Sequence, residues 1–167
     1  MHIRRGDFKS QYEHTQIYAE EYFRISSSKL EPNSTIYIAS DEKNRAFFGP
    51  FKKMHDVYFI EDFSDAVKDL NPNLLGMVEQ VVAAQGKTFH GTQLSTFTAY
   101  INRLRGYYSI RDQSDGYDMG IIKSYVFSDD RQFTFDKYKP IRMPFWMKEF
   151  PAAWRDIDFG IPDVTPK

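Results

Sequence analysis

Thr35-Ile36-Tyr37-Ile38-Ala39-Ser40-Asp41-Glu42 is the stretch on which the fold turns. A short, largely apolar and β-branched run ends abruptly in a hydroxyl and two carboxylates. Such a run predicts a strand covered on both faces, the condition of a parallel sheet. Pro32-Asn33-Ser34 ahead of it signals a turn. Ser40-Asp41-Glu42 behind it signals a helix start, which predicts a short helix over 42–48 stopped by Gly49-Pro50.

The same alternation extends outward in both directions. Residues 15–28 carry Ile17, Tyr18, Tyr22, Phe23 and Ile25 at near-helical spacing, with Glu20, Glu21 and Arg24 for the wet face and Ser26-Ser27-Ser28 to fray the end. Downstream, Val57-Tyr58-Phe59-Ile60 reads as a strand, and 73–85 as a helix burying Leu74, Met77, Val78, Val81 and Val82. Lys87-Thr88-Phe89-His90 reads as a strand that leads through Gly91-Thr92 into a helix over 97–107. From Ser109 the chain reads as irregular, and from about Tyr125 as a tail wrapped over a neighbouring surface. Alternating strands and helices define an α/β class with a parallel sheet, whose ligands sit at the carboxyl ends of the strands.

Composition limits the function. The chain has 167 residues with 41% hydrophobic content, enough for one domain with a real core, and 17% aromatics, including 15 Phe and 11 Tyr. A net charge of −1 gives no global basic field for nucleic acid, so any anion site is local. Cysteine is absent, which removes disulfides and thiolate metal sites. His2, His14, His55 and His90 show no metal-type pairing. GxGxxG and GxxxxGK[ST] motifs are absent, which argues against a dinucleotide oxidoreductase or P-loop enzyme. Arg5-Gly6-Asp7 spells an adhesion tripeptide that recurs by chance.

Three expected strand ends carry polar groups suited to a nucleotide. His2-Ile3-Arg4-Arg5-Gly6-Asp7 offers guanidinium forks that match phosphate oxygens and can stabilise charge on a departing diphosphate. Its place at the first residues suggests a chain cut inside a strand. Gly91 to Phe97 sets Thr92, Ser95 and Thr96 at a helix start, which serves either as a plain N-cap or as an anion site. Asp41 is either a helix cap or an acceptor for guanine N–H groups and ribose hydroxyls, and Glu79 belongs with it in the second reading.

Taken together, His2 to Asp7, the strand ending in Ser40-Asp41, and Phe89-His90-Gly91-Thr92 with Ser95-Thr96-Phe97 resemble the C-terminal half of GDP-fucose-dependent fucosyltransferases, closest to the protein O-fucosyltransferase group. The resemblance spans residues 2 to about 107. It implies a Rossmann-like parallel sheet flanked by helices, one of two such domains facing across a cleft in the GT-B arrangement. Residues 1–124 would then form the GDP-sugar-binding domain, and 125–167 an aromatic-rich extension packed on it or on its partner.

The resemblance also implies roles. Arg4 matches the arginine that binds the β-phosphate and assists departure of GDP, making it the catalytic residue. His2 matches a histidine near the ribose and phosphates, and Asp7 an acid that holds the arginine pair. Ser95, Thr96 and Phe97 match the diphosphate-holding segment, with Thr92 assisting. Asp41 matches an acid on the donor side. Glu79 falls where relatives often place an aspartate that reads guanine, one methylene shorter. For Arg5, an ion pair with Asp7 or Asp41 and a donor contact are both open.

The implied reaction is inverting transfer of fucose to a hydroxyl, protein Ser/Thr or glycan, with no metal and no cofactor, GDP-fucose being the donor substrate. The base falls in an N-terminal domain outside this chain, with Glu13 as an internal candidate. The implied location is the Golgi or endoplasmic reticulum lumen, with any membrane anchor elsewhere in the parent polypeptide. The competing reading is a non-catalytic Rossmann-like relative that binds protein or glycan.

Overall fold

The computed structural model describes residues 1–8, 17–93, 95–112, 123–127 and 133–134. Its elements are β1 (His2–Ile3), α1 (Ala19–Ser27), β2 (Thr35–Tyr37), β3 (Ala39–Ser40), α2 (Gly49–Lys52), β4 (Asp56–Tyr58), α3 (Ser64–Val67), α4 (Leu75–Ala84), β5 (Phe89–Thr92), α5 (Thr96–Asp112), β6 (Ser124–Phe127) and β7 (Phe133–Thr134). Single 3-10 turns over Arg45–Phe48, Ile60–Phe63 and Pro72–Leu74 lead into α2, α3 and α4.

The expected strand at 35–39 forms, but as two ladders in sequence. β2 pairs in parallel with β4, in register Ile36 to Val57, and β3 pairs in parallel with β1, in register His2 to Ala39. Ile38 N–H donates to Tyr58 O at 2.9 Å on one side, and Ala39 N–H donates to Met1 O at 3.0 Å on the other. The segment therefore joins both neighbours. β1 also pairs in parallel with β5, and β5 with β6, while β7 closes the edge antiparallel to β6. Across the parallel part the strand order is β4, β2/β3, β1, β5, β6. This is the 3-2-1-4-5 order of a doubly wound Rossmann-like sheet, and its topological switch point lies between β1 and β5.

Helices cover both faces. On one side Ile3, Ile38, Tyr22, Phe48, Phe51 and Phe59 form the larger core, with Tyr22, Phe48, Phe51, Ile3 and Ile38 fully buried. Each such side chain contributes roughly 1.5–3 kcal/mol by leaving water. On the other side Phe89 and Ile101 meet Ala83 and Ala84. Arg105 of α5 fastens this layer. Its guanidinium is buried, donates to Ser124 Oγ at 2.8 Å, and reaches the carbonyls of Ala84, Gly86 and Lys123 at the amino ends of β5 and β6.

Five sequence expectations are corrected. Gly49-Pro50 opens α2 instead of stopping a helix, because the first turn of a helix needs no N–H from proline. Tyr125 lies inside β6, so the sheet runs through 127, past the point where a wrapped tail was expected to begin. β4 ends at Tyr58 and β5 begins at Phe89, each displaced by one or two residues from its expected span.

The largest correction concerns α4. Leu74, Met77, Val81 and Val82 are 42%, 59%, 39% and 42% exposed, so the face expected in the core is on the surface. The helix instead buries its small residues, Ala83 and Ala84, and sets Gly76 against Phe97. Small side chains let α4 approach α5 closely, and that leaves the larger ones outside. The remaining sequence readings for the tail beyond Phe127, and for Glu13, fall outside the described residues apart from β7.

Candidate functional site

The site forms where the carboxyl end of β1 meets that of β5. Arg4 directly follows β1, and its backbone N–H donates to Thr92 Oγ1 at 2.8 Å, while that hydroxyl donates to His2 O at 3.4 Å. Thr92 is buried and ties the two strand ends together across the switch point. It braces the ends of β1 and β5.

The Arg4 side chain is about one-third exposed, and two carboxylates hold it. Its Nε and Nη2 donate to Asp7 Oδ1 and Oδ2, each at 3.0 Å, and Asp41 Oδ2 lies 3.3 Å from Nε. Nη1 forms no hydrogen bond among the described residues. Asp41 is itself anchored, because Oδ1 accepts the Arg5 backbone N–H at 2.7 Å. Gly6 makes this arrangement possible. A Cβ there would stand 2.6 Å from Asp41 Oδ2, so a side chain at position 6 would push the carboxylate off Arg4.

Arg5 points elsewhere. Its Nε donates to Glu42 Oε2 at 2.9 Å, its Nη1 to Ile17 O at 3.2 Å, and its guanidinium lies 4.0 Å from the Phe47 ring centre. The pair is largely covered, with side-chain exposures of 14% and 15%. Of the two alternatives for Arg5, the ion pair forms, but with Glu42 in place of Asp7 or Asp41. Asp7 pairs with Arg4. Tyr22 lies fully buried near Arg5 and Asp41, and burial pushes its hydroxyl up to about 12.

His2 belongs to the floor of the site. It is 3% exposed, stacks on Phe97 at 4.5 Å between ring centres, and shares a 2.8 Å hydrogen bond between Nδ1 and Thr98 Oγ1. Burial, helped by the nearby positive charges of the amino terminus and Arg4, lowers it to about 3, which favours the neutral ring. Thr98 comes this close because Gly91 has no Cβ. One added there would collide with the Thr98 side chain.

Ser95, Thr96 and Phe97 arrive together at the start of α5. Ser95 is buried and its carbonyl accepts the Ala99 N–H at 3.0 Å, while Thr96 is exposed. The first N–H groups of this 17-residue helix have no intrahelical acceptor, and with the helix dipole they favour an anion. The His2 contacts to Phe97 and Thr98 place this turn beside the end of β1. A guanidinium with an unengaged edge and a helix amino end thus share one pole of the sheet. That combination suits a diphosphate.

Glu79 does not join this cluster. On α4 it accepts the Tyr37 hydroxyl at 3.2 Å, and burial raises its carboxyl. Phe63 lies near the rings of Tyr37 and Tyr58, at 6.3 and 5.8 Å between centres, so Glu79 stands beside an aromatic group. Next to Asp41, a groove of about 570 Å³ opens at the ends of β3 and β4, lined by Lys43, Arg45, Lys52, Phe59 and Glu61 among others. Among the described residues, no three His, Asp or Glu side chains converge as a metal site requires.

Sequence reasoning missed Glu42, Thr98 and Arg105, whereas Gly91 was readable as a glycine that allows close approach, and Thr98 is the residue that makes it. The family model described as GDP-fucose protein O-fucosyltransferase matches residues 1–108, which span every element of the site. No curated protein sequence matches the chain.

Proposed function

The chain belongs to the GDP-fucose protein O-fucosyltransferase family, and from that premise we propose that Arg4, Asp7, Asp41 and the first turn of α5 form the diphosphate side of a GDP-fucose site. The observation that carries this reading is the held but incompletely used Arg4 guanidinium at the switch point, beside an anion-favouring helix end. Asp7 and Asp41 fix the fork before the donor arrives, so little side-chain freedom is lost on binding. In the transfer step an acceptor oxygen forms a bond to the sugar carbon from the face opposite GDP. The bond from that carbon to the β-phosphate oxygen breaks, and its electron pair leaves with GDP. Arg4 offsets the negative charge that develops on the leaving group, without a metal being called upon.

GDP-fucose is consumed as donor substrate, and the acceptor is a protein Ser/Thr hydroxyl. The base that takes the hydroxyl proton is supplied by a second domain of the same polypeptide, facing this one in the GT-B manner. His2 and Phe97 support the floor, and Glu79 beside the Tyr37 and Phe63 rings is the acid on the nucleobase side. The family acts in the secretory pathway. Among the described residues no helix is long and apolar enough to cross a membrane.

Calorimetric titration with GDP, GDP-fucose and UDP-sugars tests the reading. The expected outcome is weak binding of GDP and GDP-fucose, preferred at least about tenfold over UDP-sugars, which corresponds to about 1.4 kcal/mol of nucleobase discrimination. Equal affinity for guanine and uracil nucleotides would sink it.

A further inference from the structure

The loop between α1 and β2 carries Asn33-Ser34-Thr35, the single Asn-X-Ser/Thr sequon in the 167 residues. Its geometry presents the two residues that such a sequon needs. Ser34 N–H donates to Glu31 O at 3.2 Å, closing a turn with Pro32 second and Asn33 third, and Asn33 takes a φ of 55°, which asparagine tolerates in a type II turn. Asn33 and Thr35 are both exposed, and neither side chain forms a hydrogen bond among the described residues. The middle residue is the one engaged, with Ser34 Oγ 3.2 Å from His55 Nδ1. Three of the four other asparagines are occupied differently, and the fourth, Asn73, is followed by Leu74-Leu75 and heads no sequon. Asn44 and Asn71 accept backbone N–H groups at the starts of 3-10 turns, and Asn102 is buried.

Position adds a second argument. Thr35 begins the extended run whose other end is Ser40-Asp41. Six extended residues at about 3.3 Å each separate the poles by about 20 Å. A bulky group on Asn33 therefore projects from the amino-end pole of the sheet and leaves the Arg4 pole open to a donor.

We propose that Asn33 is an N-glycosylation site, a reading that rests on passage of the chain through the secretory pathway. The co-reactant is a lipid diphosphate-linked oligosaccharide. A bond forms between Asn33 Nδ2 and the anomeric carbon of the first sugar, and the bond from that carbon to the diphosphate oxygen breaks. The lipid diphosphate leaves with the electron pair, and the amide proton passes to the glycosylating enzyme. The glycan makes the exposed α1–β2 turn hydrophilic at the pole remote from the chemistry.

The test expresses the full chain behind a cleavable secretory leader in eukaryotic cells, confirms lumenal protection from added protease, and compares gel mobility before and after peptide-N-glycosidase. One downward step is expected, with Asn33 converted to Asp in the released peptide. The step should vanish in Asn33→Gln and Thr35→Ala and survive in Thr35→Ser. Glycan addition acts on the nascent chain, so poor folding of a variant does not mask the result. Unchanged mobility of the protected wild-type chain, or a step that persists in Asn33→Gln, overturns the proposal. GDP affinity of Asn33→Gln, expected within twofold of wild type, reports separately on the donor site.

Discussion

Arg4 and Arg5 are neighbours in sequence, yet they serve two different regions of the molecule. Arg5 turns into the body of the domain, where Glu42, the Ile17 carbonyl and the Phe47 ring use its charge, its donors and its flat face. Arg4 turns to the open pole, where Asp7 and Asp41 hold one edge of the fork and leave Nη1 unengaged. A guanidinium whose donors are consumed inside the protein is structural. One held in place with an edge to spare is poised for a ligand. Residue type alone does not separate the two, whereas the partners do.

The comparison breaks most visibly if Arg5 is removed. Arg5→Ala takes the guanidinium away from the mostly covered Glu42 carboxylate, which keeps the Asn44 N–H, and should cost about 2–3 kcal/mol of stability, measured by urea denaturation, with GDP affinity of the folded fraction little changed. Arg4→Ala, by contrast, removes an exposed pair and should shift stability by less than about 1 kcal/mol. Equal stability losses for the two variants would erase the distinction between the regions.

Acid sharpens it further. His2 and His90 are both held near 3 by burial, well below the usual histidine value. Each is neutral when folded and takes up a proton on unfolding below about pH 6.5. Their contribution is therefore complete above pH 6.5 and is lost as pH falls from 6.5 toward 3, at up to about 1.4 kcal/mol per pH unit for each. The raised Glu79 carboxyl works in the opposite sense and only softens this slope. Denaturation midpoints measured from pH 7 to pH 4 should fall steadily, and His90→Phe should flatten the decline. Among the described residues His90 makes no hydrogen bond with either ring nitrogen, and it stacks on Tyr125 and Phe127, so a phenylalanine preserves its packing.

The smallest effect belongs to the floor of the site. Thr98→Val keeps the shape against Gly91 but deletes the partner of His2 Nδ1, for a loss of about 1 kcal/mol in thermal or chemical unfolding. A Thr98→Ser variant should restore it. Failure of serine to do better than valine would remove the His2 tether from the account.

Much of this was readable from the chain. The apolar run at 35–39 and its carboxylate ending located the strand segment that joins β4 to β1, and the cluster from His2 to Asp7 and the start at Ser95-Thr96 marked the two ends that meet. What could not be read was partnership. Asp41 lies 36 residues from Arg5 and Thr98 lies 96 from His2, and no local pattern encodes such contacts. The face of α4 was misread for a related reason. Periodicity shows that Leu74, Met77 and Val81 share a side, but only the close approach of Gly76 and Ala83 to their neighbours decides that the opposite side packs inward. Tyr125-Val126-Phe127 was hidden because a four-residue strand among scattered aromatics has no distinctive period.

The central claim is that Arg4 is the cation for the donor's diphosphate. The direct measurement is the affinity of the wild-type chain and of Arg4→Ala for GDP and for guanosine, by calorimetry in one buffer. Wild type should favour GDP over guanosine. Arg4→Ala should lose about 30–100-fold in GDP affinity while guanosine binding stays within about threefold, as expected for loss of charge-assisted hydrogen bonds. An Arg4→Ala variant that still prefers GDP as strongly as wild type would contradict the account.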